Sequence, residues 1–153
     1  PFPGISLSIR DEEIYVDTPF AVEGAERPLT CHDMGRVDEE GMLYFLGRRE
    51  DQYHIKGNHV SRQKVLSHLL MLPGVEEAEV FGEKQANGDD RLIAFLSGQV
   101  PASDARLMSL LAERLRAWEI PHRILRVASI PKTSTGKTDR KRLLAMAKAV
   151  FWG

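Results

Sequence analysis

The run Leu92-Ile93-Ala94-Phe95-Leu96 is apolar at every position. A strand without polar alternation is buried on both faces, so this stretch predicts the central strand of a sheet. Its neighbours in the chain fit that position. Val75 to Phe81 reads as a strand with Val75, Ala78 and Val80 apolar, and Ile124 to Val127 as a short one. Three helical periodicities supply cover. The first runs from about Arg62 to Met71, capped by Ser61, with Val65, Leu66, Leu69 and Leu70 as its apolar side. The second starts at Ser103-Asp104 and carries Leu107, Leu110, Leu111, Leu115 and Trp118. The third starts at about Asp139 and carries Leu143, Leu144, Met146 and Ala147. The predicted class is α+β: a small β-sheet with helices on both faces.

Upstream, the signals are those of strands and turns. Ile5, Leu7 and Ile9 alternate with serines, Asp11-Glu12-Glu13 reads as a turn, and Ile14-Tyr15-Val16 returns. Val37 to Leu46 predicts a hairpin turning at Asp38 to Gly41, with Met42 to Leu46 as a buried strand. Tyr53 to Val60 predicts a second hairpin, turning at Gly57-Asn58, since both residues tolerate positive φ.

Composition excludes several classes. With 153 residues, 42% hydrophobic and 28% charged, the chain is globular rather than disordered. A net charge of −1 and the lack of an aromatic stacking motif argue against nucleic-acid binding. No apolar run reaches the length of a membrane span. A single cysteine, Cys31, excludes an intramolecular disulfide and fits a reducing, cytoplasmic compartment. His32-Asp33 lacks ligand spacing, and the other histidines are scattered in sequence, so no metal site is expected.

The stretch most suited to chemistry is Pro131-Lys-Thr-Ser-Thr-Gly-Lys137-Thr-Asp-Arg140. Gly136 allows close backbone approach to an anion, and Lys137 is a compact charge on a long stem. The helix beyond it offers N–H groups and a positive dipole end. No glycine precedes Gly136 at the spacing of a nucleotide-triphosphate P-loop. The alternative reading is a solvated basic loop.

Three further segments precede this loop in order: Gly41 to Gln52, Ile55-Lys56-Gly57, and Leu72-Pro73-Gly74-Val75-Glu76-Glu77-Ala78. The ordered set resembles the C-terminal part of the adenylate-forming superfamily, which includes acyl- and aryl-CoA synthetases, luciferases and peptide-synthetase adenylation domains. The resemblance implies that residues 1–48 are the last β-rich piece of a large N-terminal domain that begins upstream of Pro1. Residues 49–153 would then be a small lid domain, with a hinge at about 49–51.

Functional expectations follow residue by residue. The parent would be a ligase using ATP, with Mg²⁺ arriving through the nucleotide. It would join a carboxylic acid to AMP, then pass the acyl group to CoA or to a phosphopantetheine thiol. Lys137 would be the adenylation lysine, Asp33 and Arg48 would hold the ribose, and Glu50 with Asp51 would form the hinge. Lys56, Gly57, His59, Arg62 and Lys64 would line the thiol side, the last two either as a solvated basic turn or as part of a cationic corner able to hold a phosphate. The fragment alone would be inactive, because the acyl pocket and upstream phosphate loop lie outside it. Cys31 and His32 stand where the family has Thr and Gly, Glu50 where it has Asp or Lys, His59 where it often has Arg, and Lys64 where it commonly has Glu. These departures leave open a catalytically degenerate binding or regulatory module.

Overall fold

A computed structural model of the chain describes residues 3–151. It divides into two compact units, one ending at Gln52 and one starting at Tyr53.

The first unit is an antiparallel sheet in the order β1-β2-β3-β4. Its strands are β1 (Ser6–Arg10), β2 (Glu13–Asp17), β3 (Leu29–Val37) and β4 (Leu43–Arg48). Asp11 and Glu12 make the first turn with φ of 49° and 63°. That is the backbone twist which matches a two-residue hairpin loop, and Glu13 already belongs to β2. The β3–β4 turn is held by the Asp38 carboxylate, which accepts from Glu40 N at 3.0 Å and Met42 N at 2.9 Å.

The expected burial of Met42 to Leu46 is not found. Met42 is 59% exposed, Phe45 63% and Tyr44 45%. Among the described residues of this unit no second layer covers the sheet, so a continuous apolar strand has nowhere to bury itself. Among the described residues, Met34 is the one large apolar side chain of this unit below the surface.

The second unit carries its own core. A three-stranded sheet has the order β7-β8-β9, from β7 (Val75–Lys84), β8 (Asp90–Gly98) and β9 (Arg123–Arg126). β8 is central, antiparallel to β7 and parallel to β9. The parallel pair needs a crossover, supplied by α2 (Asp104–Ala112). Alternation along β8 divides the core. Leu92, Ala94 and Leu96 join Val65 and Leu69 of α1 (Arg62–Leu69) and Leu107 and Leu111 of α2. Ile93 and Phe95 join Phe81, Leu125, Ile130 and, from α3 (Arg140–Phe151), Leu143 and Ala147. Helices therefore cover both faces, as the apolar run of β8 predicts. Each fully buried leucine contributes on the order of 1.5–3 kcal/mol, which is why this unit is stable as a layered domain.

Two helices are shorter than their periodicity suggests. α1 stops at Leu69 and leaves Leu70 48% exposed. α2 stops at Ala112, and Trp118 sits in a separate 3₁₀ turn, Ala117–Glu119. Both ends still pack against the same core cluster through Leu72 and Leu115, so apolar spacing persists after the helix has ended.

A small hairpin, β5 (Gln52–Ile55) and β6 (Asn58–Ser61), precedes α1. Its turn is Lys56-Gly57, one residue earlier than expected, with φ of 50° and 77°. The Asn58 side-chain amide donates to the carbonyls of Ile55 and Lys56 at 3.3 and 3.1 Å. Asn58 thus closes the turn from the strand instead of occupying it.

Candidate functional site

Lys137 stands on a short, closed loop. Lys132 and Thr138 form an antiparallel bridge, and Thr133 N donates to Lys137 O at 2.7 Å. Gly136, at φ 81°, makes the turn between them, with its N–H on Thr133 O at 2.9 Å. The lysine is exposed, and among the described residues no carboxylate is paired with it. The N-terminus of α3 is not open to a ligand in the expected way. The Asp139 carboxylate caps it, accepting from Arg142 N at 3.0 Å. Lys137 thus meets an anion with its ammonium, while the helix end is closed by its own cap.

Asp33 and Arg48 are brought together in the first unit. They are direct partners across β3 and β4, with Arg48 Nε 3.9 Å from Asp33 Oδ1. His32, where the family has glycine, nonetheless adopts φ 60°. This is the left-handed conformation, and its cost is about 1–3 kcal/mol for a non-glycine residue.

Sequence reasoning missed what holds that conformation. Glu13, read there as a turn residue, is a buried carboxylate, and three side chains converge on it. The Thr30 hydroxyl donates to it at 2.6 Å, His32 Nδ1 lies at 2.7 Å, and Arg49 Nη1 donates at 2.7 Å. The Thr30 hydrogen bond, then His32 and Arg49, hold the Glu13 carboxyl below its ordinary range despite desolvation. Thr30 Oγ1 also accepts from His32 N at 2.9 Å. Cys31, His32, Arg48, Arg49 and Glu50 line a shallow pocket on this sheet. Glu50 and Asp51 lie in the 3₁₀ turn Arg49–Asp51, directly before the division of the chain after Gln52.

The cationic corner is organised differently from either expectation. Lys56 and Gly57 form the hairpin turn, and His59 is exposed on β6. Arg62 is neither solvated nor aimed at an external anion. Its guanidinium bonds the buried Glu79 carboxylate. Lys64 Nζ lies 2.7 and 3.0 Å from the two carboxylate oxygens of Glu119, which is also buried. Burial is the largest influence on Glu119 and favours its neutral form. The Lys64 ammonium and the Arg116 N–H outweigh it and keep its pKa lowered. Both first-turn cations therefore neutralise carboxylates inside the lid. The sequence offers little sign of this, because the partners lie 17 and 55 residues away.

Among the described residues no group of three or more His, Cys, Asp or Glu converges to hold a metal ion, and no helix is long and apolar enough to cross a membrane.

Comparison with known proteins accords with this architecture. The AMP-binding enzyme C-terminal domain family matches residues 65–137. Chondramide synthase cmdD of Chondromyces crocatus is 34% identical over 133 residues, which is 86% of this chain and 3% of that protein. The L-allo-isoleucine:holo-[CmaA peptidyl-carrier protein] ligase of Pseudomonas savastanoi pv. glycinea is 37% identical over 115 residues, 73% of this chain and 19% of that protein. Among solved structures, O-succinylbenzoate coenzyme A synthetase from Bacillus subtilis, in complex with AMP, superposes with a TM-score of 0.69 at 26% identity. That match covers 94% of this chain and 34% of the synthetase. The chain thus spans under a fifth of these two sequence relatives and about a third of the structural one. It carries the AMP-binding enzyme C-terminal domain and matches the C-terminal portion of the adenylate-forming enzymes.

Proposed function

We propose that this chain is the lid portion, with an adjoining β-rich piece, of an ATP-dependent ligase that forms an acyl-adenylate and then a thioester. The observation that carries the reading is Lys137. It is an exposed lysine on a closed, glycine-turned loop, while Arg62 and Lys64 are consumed by internal carboxylates.

In the first half-reaction a carboxylate attacks the α-phosphate of ATP and pyrophosphate leaves. The Lys137 ammonium would stabilise negative charge shared between the attacking carboxylate and the phosphate, an electrostatic role rather than general-base work. Asp33 suits a ribose, because an accessible carboxylate accepts two hydrogen bonds from a vicinal diol, and Arg48 lies beside it with Nε 3.9 Å from Oδ1. Mg²⁺ would enter with the nucleotide. Among the described residues no group of three or more His, Cys, Asp or Glu is clustered to hold it.

For the second half-reaction, Glu50 and Asp51 would act as the pivot by which the lid turns its hairpin loop towards the thiol. A pivot needs exposed residues that can absorb a φ/ψ change, and Glu50 is exposed in a single 3₁₀ turn. The acceptor is a pantetheine thiol. One relative above 30% identity is named as a ligase acting on a holo peptidyl-carrier protein, and a structural neighbour is named as a coenzyme A synthetase.

The test uses the full-length enzyme that contains this chain. Pyrophosphate exchange measures the first step, and thioester formation is measured with free CoA and with a phosphopantetheinylated carrier in separate arms. Activity with neither, together with undetectable exchange for a broad set of carboxylic acids, would favour the degenerate binding module instead.

A further inference from the structure

The closed loop that carries Lys137 is bonded mainly to itself. Besides the Lys132–Thr138 bridge and the Gly136 turn, Asp139 N donates to Pro131 O at 2.8 Å. Among the described residues, the hydrogen bonds of 131–139 stay within the loop and the first turn of α3. The loop is therefore a small unit whose direction depends on how its two ends are held.

Both ends are held by β7. At the entry, Ile130 is buried and its N–H donates to Glu77 Oε2 at 3.2 Å. At the exit, Arg140 reaches back to the same strand. Its Nη2 donates to Gly82 O at 3.2 Å, and its Cζ lies 4.9 Å from the centroid of the Phe81 ring. Glu77 and Phe81 are four residues apart on β7, beyond its irregularity at Val75/Glu77, so they share a face. Phe81 is itself fixed in the core cluster with Ile93, Phe95 and Leu143. Arg62 also approaches that ring, at 5.7 Å, but its charge is matched by Glu79. Arginine suits the place, because a planar guanidinium stacks on an aromatic face and still donates from its edge.

We infer that Arg140 is a positioning residue for Lys137, holding the exit of the lysine loop against β7 so that the ammonium is presented in one direction. The inference rests on the adenylation role proposed for Lys137. It adds that the direction of the lysine is set by the lid's own sheet before any nucleotide arrives. With both loop ends fixed, the flexible stem of the lysine is what is left to order at the reacting atoms. The Arg140 guanidinium is spent on Phe81 and Gly82 and acts only through the loop.

The test uses Arg140→Gln, Arg140→Lys, Lys137→Ala and the Arg140→Gln, Lys137→Ala double variant of the full-length enzyme. Arg140 is exposed, so its substitution should leave global unfolding by urea unchanged. In Arg140→Gln, hydrogen exchange of the 130–143 amides should quicken severalfold, with the β8 amides as slow as in the wild type. The kcat of pyrophosphate exchange should fall about 10–100-fold, the effect of a displacement on the order of 1 Å. The KM for ATP should stay unchanged, and thioester formation from a supplied acyl-adenylate should be spared. Arg140→Lys keeps a cation over Phe81 and should recover part of both losses. In the Lys137→Ala background, Arg140→Gln should cost nothing further, because it acts through that lysine. Unchanged amide exchange in the loop would overturn the anchor. So would a loosened loop with undiminished pyrophosphate exchange. A raised KM for ATP, or losses that multiply in the double variant, would overturn the positioning role and put Arg140 on the nucleotide itself. Failure of the adenylation reading shows separately, as a wild-type rate in Lys137→Ala, while amide exchange still decides whether Arg140 fixes the loop.

Discussion

Lys64 and Glu119 form a bidentate ion pair, 2.7 and 3.0 Å, between the first turn of α1 and the 3₁₀ turn before β9. Viewed along the sequence, Lys64 is a cation placed against the dipole of its own helix. In the fold it compensates a buried carboxylate. Lys64→Ala is therefore expected to destabilise the lid, by about 1–2 kcal/mol, because Glu119 keeps its desolvation cost and loses its main cation. Urea denaturation measures this, and a stabilised variant would contradict it.

The same pair sets a pH dependence. The folded pKa of Glu119 is lowered from 4.5. The ionised state therefore contributes stability that is present above about that value and is lost as pH falls through the folded pKa. The gap in stability between wild type and Lys64→Ala should be full at neutral pH and narrow below 4.5. Denaturation curves across that range check the sign.

Lys137→Ala in the full-length enzyme should slow acyl-adenylate formation on the order of 10²–10³-fold, the effect of removing one preorganised charge contact. Thioester formation from a supplied acyl-adenylate should be largely spared. Equal losses in both half-reactions would remove Lys137 from its assigned role.

Asp33→Asn should raise the KM for ATP by roughly tenfold or more, since hydrogen bonds to a charged group are worth about 1.5–3 kcal/mol. Pyrophosphate exchange at varied ATP reads it directly. An unchanged KM would show that the ribose is held elsewhere.

Glu50→Pro should uncouple the half-reactions, because proline fixes φ at a position proposed to rotate. One of adenylation and thioesterification should survive and the other collapse. Near wild-type rates in both would move the pivot to Arg49 or Asp51.

Much of the lid was legible in its residues. The unbroken apolar run of β8 required cover on both faces, and the caps Ser61 and Ser103 marked where two helices begin. The loop holding Lys137 declared itself by local chemistry, since glycine, hydroxyls and lysine act over a few residues. The resemblance of ordered motifs added Asp33, Arg48 and the proposed pivot as candidates, which no local rule would single out.

What the tertiary structure decided were the long-range partners of charge. Glu13 reads as part of an acidic turn, yet Thr30, His32 and Arg49 converge on it from β3 and the 3₁₀ turn. Arg62 and Lys64 read as a basic corner, yet Glu79 and Glu119 claim them. His54 and His59 are unremarkable five residues apart until a two-residue turn folds one strand back on the other. Periodicity reports which face of an element is buried, because burial repeats with the element's own geometry. It carries no information about which distant polar group shares that buried space, since that depends on how separate elements pack.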